Sequence, residues 1–364
     1  MSFYSTYEKY KDGSFENVTD SLIKKSLGSE VLSPEGFAAL LSSKAEDYLE
    51  EAAQKAHSLT VRNFGKTVHL YTPLYLSNWC ENECAYCGFN LTNKIERRIL
   101  ELDEVRKEAE FIASTGLKNI LILTGSSREK TPVSYLAECV KILKDHFSSI
   151  CIEVYSLTQD EYKTLIEEGV DGLTIYQETY DEELYSELHL SGPKRDYLFR
   201  LEAPERALAE GMRLVNIGVL FGLSDWRRDA FFLGMHAAYL QDKFPAGEIS
   251  VSLPRIRPQV GGFEAGFNVR DKNIVQAVLA LRMFLPRVGI TLSTREDELF
   301  RENLMPLGVT RMSAGSTTKV GGHTLKTDGL NVEQFEICDT RGVEDIKNML
   351  RDKKYQPVLK DWVG

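Results

Sequence analysis

Helix-like and strand-like hydrophobic patterns alternate along most of this chain. Residues 1–66 are predicted to be helical, and Pro34–Ser58 is rich in Ala, Leu, Glu and Lys. Ser33 is a suitable N-cap for this segment and is followed by proline at the first helical position. From Val68 the pattern becomes alternating and β-prone, and it leads directly into a cysteine-rich loop. We therefore predict a helical extension followed by a first strand.

Seven further strands are predicted after this loop, separated by helices. The strands are short apolar runs, typical of strands buried on both faces, at Asn119–Thr124, Ile150–Val154, Gly172–Tyr176, Leu214–Leu220, Glu248–Leu253, Gly289–Ser293 and Val309–Ser313. The helices are predicted over Leu102–Ser114, Pro132–Phe147, Gln159–Glu168, Pro204–Glu210, Trp226–Gln241, Lys272–Phe284, Glu296–Met305 and Val343–Asp352.

Eight such units predict an α/β fold, a closed parallel (β/α)8 barrel of TIM type, and the alternative is an open doubly wound sheet. We expect a helical extension over residues 1–66, the barrel over 67–342, and a C-terminal helix and tail over 343–364 that pack on the barrel. Active sites of such barrels lie at the C-terminal ends of the strands, so the residues just after each strand are the candidates for function.

Charge and hydropathy exclude two classes of partner. A formal net charge of -10 argues against nucleic acid, because binding to phosphate backbones depends on clustered Lys and Arg. No segment approaches 18 consecutive apolar residues, so we expect a cytoplasmic protein without a membrane span. Three of the six cysteines, Cys139, Cys151 and Cys338, are isolated in sequence and are predicted to be ordinary core residues.

The other three cysteines, Cys80, Cys84 and Cys87, recur with three and then two residues between them. They supply one ligand too few for a closed tetrahedral zinc site or a four-thiolate iron-sulfur cluster. An iron without a protein ligand is a position where a small molecule can bind and react. The alternative is a structural zinc site completed by a distant histidine.

This loop, with Tyr86 before its last thiol, resembles the signature of the radical S-adenosylmethionine (SAM) enzymes. The resemblance implies a 4Fe-4S cluster on the three cysteines, whose open iron chelates SAM and splits it to methionine and a 5′-deoxyadenosyl radical. It implies cofactor contacts at Tyr86, at Gly125 and Ser126 after the second strand, at Glu153 and at Ile217, where backbone lies against adenine. Ser126 stands where the superfamily usually has a glutamate.

Segments over nearly the whole chain resemble the 2-iminoacetate synthases of thiamine biosynthesis, also called tyrosine lyases. They are Tyr176–Tyr180, Ser191–Lys194, Arg200–Leu201, Phe221–Arg227, Leu253–Pro258, Leu292–Glu296, Met312–Ser316 and Tyr355–Trp362. The resemblance implies cleavage of the Cα–Cβ bond of L-tyrosine to p-cresol and 2-iminoacetate, which thiazole synthase consumes. It also implies a one-electron donor such as flavodoxin or ferredoxin.

Three residues are candidates for holding the amino acid. Arg295, just past the seventh strand, is placed to offer a planar guanidinium to a carboxylate, and the alternative is an ion pair with Glu296 or Asp297. Tyr75 lies on the first strand near the cysteine loop, where its hydroxyl can bond the substrate amino or carboxylate group; the alternative is a core tyrosine. Ser313 ends the eighth strand and offers a further hydroxyl.

Three other functions stay open at the level of sequence. A tryptophan-cleaving relative has no motif that separates it from a tyrosine lyase on physical grounds. The hydrogenase-maturation tyrosine lyase resembles this chain up to a C-terminal extension with a second cysteine-ligated cluster, whereas this sequence ends at Gly364 with Cys338 alone. A non-catalytic zinc-binding interaction protein organised by the same loop is the alternative from another class.

Overall fold

A computed structural model describes residues 2–13, 18–324 and 332–360 of the chain. The N-terminal extension contains helices α1 Tyr4–Tyr10, α2 Asp20–Gly28, α3 Pro34–Leu41 and α4 Leu49–Phe64. Between α3 and α4 the chain is extended at Ser42 and forms a 3-10 turn over Ser43–Tyr48. The amide of Gln276 caps this break by donating to the carbonyls of Leu40 and Ser42.

Eight parallel strands form a closed barrel, which confirms the predicted fold. They are β1 Thr67–Ser77, β2 Asn119–Thr124, β3 Ser149–Glu153, β4 Gly172–Glu178, β5 Leu214–Val219, β6 Glu248–Ser252, β7 Gly289–Leu292 and β8 Arg311–Ser313. Each strand pairs with the next along the chain, and β1 pairs with both β2 and β8. A ninth strand, β9 Gln356–Val358, pairs with the beginning of β1 and was not predicted.

Helices follow the strands and cover the outside of the barrel. They are α5 Leu102–Ser114, α6 Val133–Leu143, α7 Gln159–Glu168, α8 Glu182–Leu188, α9 Tyr197–Leu201, α10 Ala203–Ala209, α11 Trp226–Lys243, α12 Asp271–Phe284, α13 Glu298–Leu304 and α14 Val343–Asp352. Short 3-10 turns lie at Pro193–Arg195 and Met305–Leu307. Helices α8 and α9, which are seven and five residues long, were not predicted.

The strands were predicted to be apolar on both faces, but the face that lines the inside of the barrel carries polar side chains. Asn216 of β5 lies inside the barrel, where its amide donates to the Ser252 hydroxyl at 2.9 Å and accepts from the Ser250 hydroxyl at 2.9 Å. Outward-facing residues such as Leu74 and Ile122 are fully buried beneath the helices. The barrel is therefore sealed outside by apolar packing and lined inside by groups that can bind polar ligands.

The predicted division at residues 67 and 343 stays a prediction. The predicted C-terminal helix is present as α14, and β9 adds a strand to the predicted tail, whose residues 361–364 lie outside the described residues. In the described part of the chain, no helix is both long enough and apolar enough to cross a membrane.

Candidate active site

The cysteine loop that follows β1 is held on two sides by main-chain hydrogen bonds. On one side the amide of Glu81 donates to the carbonyl of Ser126, in the turn after β2, at 2.8 Å. On the other side the amide of Ala85 donates to the main-chain carbonyl of Leu188 at 3.0 Å. The amide of Leu190 donates to the main-chain carbonyl of Glu83 at 3.1 Å. The loop is therefore fixed between the β2 turn and the end of α8.

Gly125 explains how the β2 turn comes so close to this loop. A Cβ at this position would lie 2.2 Å from the carbonyl oxygen of Trp79, which directly precedes Cys80. The amide of Gly125 also donates to the carbonyl of Ser77 at 2.9 Å. Gly125 thus allows two protein segments to meet, in addition to the cofactor contact that the family resemblance implies.

The three thiols of the loop and most of the predicted site residues line one cavity inside the barrel mouth. Its volume is about 1690 Å³, counting the part that is open to solvent. The predicted residues that line it are Tyr75, Cys80, Cys84, Tyr86, Cys87, Gly125, Ser126, Glu153, Arg295 and Ser313. Ile217 is not among them, because its side chain is buried in the hydrophobic core, so a contact there rests on main chain alone.

Arg295 lines this cavity. Its guanidinium stacks on the ring of Phe335, with the central carbon 3.4 Å from the ring centroid, and one nitrogen donates to the carbonyl of Arg255 at 3.5 Å. Within the described ranges Arg295 pairs with no carboxylate. Glu296 instead pairs with Arg255 and Arg257, and Asp297 caps α13, so the alternative of an ion pair between Arg295 and either acid is wrong.

Ser313 lies on β8, the neighbour of the β7 strand that precedes Arg295, and Tyr75 lies on β1, on the other side of β8. The Tyr75 hydroxyl donates to Oε1 of Gln334 at 2.7 Å, and burial raises the pKa of this phenol well above its ordinary value. The Ser313 hydroxyl accepts from the amide of Thr294 at 3.1 Å. The three candidates thus come from consecutive strands and share one sector of the cavity wall.

Comparison with known proteins places the chain in a family. Models of the Radical SAM superfamily and of the Biotin and Thiamin Synthesis associated domain match residues 74–233 and 252–356. The 2-iminoacetate synthase of Salmonella typhimurium is 39% identical over 341 residues, which cover 93% of this chain and 90% of that protein. The protein of the same name from Escherichia coli is 38% identical over the same shares. The chain belongs to the 2-iminoacetate synthase family of radical SAM enzymes.

Solved structures agree with this assignment, and the predicted family, fold and enzyme class are confirmed. The FeFe-hydrogenase maturase HydG from Carboxydothermus hydrogenoformans superposes with a TM-score of 0.86 at 32% identity, covering 98% of this chain and 82% of that one. Methylornithine synthase shares the fold, with a TM-score of 0.72 at 22% identity over 93% of this chain and 97% of that one.

Radical SAM enzymes use a 4Fe-4S cluster and SAM, and the donor set of the cysteine loop fits this pair. Cys80, Cys84 and Cys87 are free thiols on one cavity wall, and burial raises the pKa of Cys84 to about 12, so the thiolate forms there when a metal binds. No three acidic, histidine or cysteine side chains of the described ranges are arranged for a single metal ion. A four-iron cluster makes no such demand, because its thiolates bind different irons.

Tyr86, which the family signature places before the last thiol, is anchored by its hydroxyl. That hydroxyl lies 2.7 Å from Nε2 of His189, whose Nδ1 lies 2.7 Å from the carbonyl of Tyr185. A carbonyl only accepts, so Nδ1 carries the proton and Nε2 accepts from Tyr86. Burial lowers the pKa of His189 to about 3, which keeps the imidazole neutral and this arrangement fixed. Tyr86 contributes its ring to the cavity wall.

A group of charged side chains on the β4 side of the cavity was missed as functional at the level of sequence. Lys194 pairs with Glu178 at 2.5 Å, and Arg200 donates to the carbonyl of Tyr176 at 2.6 Å. Glu178 has a φ of 72°, a left-handed conformation in a residue other than glycine, which the sequence does not signal. Burial and the neighbouring Glu178 together raise the pKa of Glu153 to about 7.

Proposed function

We propose that this protein cleaves the Cα–Cβ bond of L-tyrosine to 2-iminoacetate and p-cresol, with methionine and 5′-deoxyadenosine formed from SAM. The names of the curated relatives support the product, and the conformation of Arg295 supports the substrate class. A guanidinium that faces the cavity without a carboxylate partner is a binding site for the carboxylate of an amino acid.

In this proposal the amino acid is held by the sector that joins β7, β8 and β1. Arg295 binds the carboxylate in a bidentate manner, and its stacking on Phe335 fixes the plane of the guanidinium. Tyr75 and Ser313 offer hydroxyl oxygens to the remaining polar groups of the zwitterion, which would be costly to bury without hydrogen bonds. The protein therefore contributes position and the exclusion of water.

The cofactor is assigned to the neighbouring part of the same cavity. Cys80, Cys84 and Cys87 would hold the cluster, and Gly125, Ser126 and Glu153 would contact SAM, together with Tyr86 and the backbone of Ile217. When bound, the cluster and SAM supply radical hydrogen abstraction, chemistry that no side chain of this protein offers. Both sets of residues line this one cavity.

Two protein partners follow from this chemistry. An external one-electron donor, such as flavodoxin or ferredoxin, would reduce the cluster. Thiazole synthase would receive 2-iminoacetate, because an imine of this kind hydrolyses readily in water and transfer through contact would protect it.

The proposed function is tested by anaerobic incubation of the reconstituted protein with dithionite, SAM and L-tyrosine. We expect p-cresol and 5′-deoxyadenosine to appear in equal amounts, measured by liquid chromatography. The Cys84→Ala protein should lose both products together, because it lacks one of three ligands to the cluster. Cleavage of SAM with L-tryptophan but not with L-tyrosine would contradict the proposed substrate, and full activity of Cys84→Ala would contradict the ligand assignment.

A further inference from the structure

Gln334 touches both the proposed amino acid site and the cysteine loop, although the proposed function gives it no task. Its side-chain Oε1 accepts a hydrogen bond from the Tyr75 hydroxyl at 2.7 Å. Its Nε2 donates to the sulfur of Cys87 at 3.7 Å, a normal length for an N–H···S contact because sulfur is larger than oxygen. One amide group therefore connects a phenol of the substrate site with a thiol of the cluster site.

The main chain around Gln334 holds this amide in place. The carbonyl of Gln334 accepts from the amide of Gly88, next to Cys87, at 3.2 Å. A Cβ on Gly88 would lie 2.4 Å from that carbonyl oxygen, so the close approach requires glycine. The carbonyl of Phe335 accepts from the Thr318 hydroxyl at 3.1 Å. The side chain of Gln334 therefore extends from a segment that is held by hydrogen bonds to two of its main-chain carbonyls.

The direction of the hydrogen bonds follows from the donors available. A tyrosine hydroxyl has one hydrogen, and Tyr75 gives it to Gln334, so its oxygen offers only lone pairs to the cavity. Such an oxygen accepts from an amino group and cannot donate to a carboxylate. With an amino acid bound, every donor in the series from the amino group through Tyr75 and Gln334 to Cys87 points toward the cluster. Hydrogen bonds aligned in this way strengthen one another.

We propose that Gln334 is a positioning residue that couples binding of the substrate amino group at Tyr75 to reduction of the cluster at Cys87. This proposal rests on the proposed function, because the coupled ligand is the amino acid. Hydrogen bonds to cluster sulfurs raise the reduction potential, since they stabilise the added negative charge of the reduced state. By thermodynamic reciprocity, the amino acid then binds more tightly to the reduced enzyme than to the oxidised enzyme.

The test is an anaerobic redox titration of the cluster-loaded enzyme, followed by electron paramagnetic resonance, with and without L-tyrosine. S-adenosylhomocysteine replaces SAM so that no turnover occurs. For the wild type we expect L-tyrosine to bind about tenfold more tightly to the reduced enzyme, which raises the midpoint potential by about 59 mV for one electron. For Gln334→Leu we expect a lower potential without L-tyrosine and no shift on its addition.

Three further variants separate the coupling from a merely structural role. Tyr75→Phe should lose the shift, and without L-tyrosine it should lower the potential less than Gln334→Leu does, because Gln334 keeps its hydrogen bond to Cys87. Gln334→Glu keeps an acceptor for Tyr75 and removes the donor to Cys87, so it should also lose the shift, and it replaces the leucine variant if that protein fails to load a cluster. Glu333→Gln is the control and should behave as the wild type, because the side chain of this neighbour pairs with Lys319 at the surface, at 3.5 Å.

Two results would overturn the coupling. One is a wild-type potential that does not respond to L-tyrosine, and the other is a full shift in Gln334→Leu or Gln334→Glu. Formation of p-cresol by the wild type is measured in parallel. Its absence would overturn the proposed function, whereas p-cresol formation without any potential shift would overturn the coupling alone.

Discussion

The cluster side and the amino acid side of the cavity are built in different ways. The cysteine loop is fixed by main-chain bonds to Ser126 and Leu188 and by a glycine, Gly125, that packs on Trp79. The amino acid side is fixed by side-chain contacts. Arg295 stacks on Phe335, and the hydroxyl of Tyr75 donates a hydrogen bond to Gln334. A cluster of fixed size requires a rigid loop, whereas an amino acid is recognised by the orientation of a few polar groups. The two sides should therefore respond differently to mutation.

The largest expected effect is that of Gly125→Ala on the cluster side. The new Cβ would overlap the carbonyl of Trp79, and because this neighbour is backbone, the cysteine loop itself must move. We expect at least a tenfold loss of bound iron after reconstitution and desalting, measured by iron and sulfide analysis. SAM cleavage should fall in proportion.

Gly28→Ala is the matched control for this substitution. Gly28 ends α2, and a Cβ there would meet no atom within 4 Å, so iron content should be unchanged. Normal iron loading of Gly125→Ala would show that the cysteine loop tolerates displacement. It would contradict the interpretation that the cluster side of the cavity is rigid.

On the amino acid side, Arg295→Lys should weaken substrate binding and leave the cluster intact. Lysine keeps the charge but lacks the planar pair of donors and the stacking surface for Phe335. The loss of a charged hydrogen bond predicts an increase in KM for L-tyrosine of about 10- to 100-fold. Iron content and the affinity for SAM should not change.

Arg287→Lys, at an exposed position, controls for the exchange of arginine for lysine and should keep the wild-type KM. An unchanged KM in Arg295→Lys would place the substrate carboxylate elsewhere. Arg257, which also lines the cavity, would be the next residue to test.

The difference between local sequence features and contacts of distant residues explains how much of the fold and of the site could be predicted. The barrel and the cysteine loop were predicted because strand periodicity and thiol spacing are local features. The pairing of Glu296 with Arg255 and Arg257, rather than with its neighbour Arg295, brings together residues far apart in the chain. No local pattern encodes such contacts.

Gln334 was missed for the same reason. Its partners Tyr75 and Cys87 lie about 250 positions earlier in the chain, and a glutamine in a loop carries no motif of its own. For Ile217 the predicted strand is confirmed, whereas its predicted main-chain contact with the cofactor stays a prediction. Resemblance to a family identifies a strand more readily than it identifies the atom that makes a contact.

The smallest expected effect is a pH-dependent change in stability on the cofactor side, at Glu153. Burial and Glu178 raise the pKa of Glu153 from its ordinary value of 4.5 to about 7, so the fold favours the neutral acid. Wild-type stability should therefore fall as pH rises from 4.5 to 7, because the folded protein resists losing a proton that the unfolded chain gives up. Glu153→Gln has no proton to lose and should be more stable than the wild type by about 1 to 3 kcal/mol at pH 8. Thermal unfolding without SAM measures this difference, which should vanish near pH 4.5, and a gain that is equal at both pH values would contradict the assigned ionisation. Glu153 is also proposed to contact SAM. Glu153→Gln should therefore bind SAM more weakly than the wild type, although it is more stable.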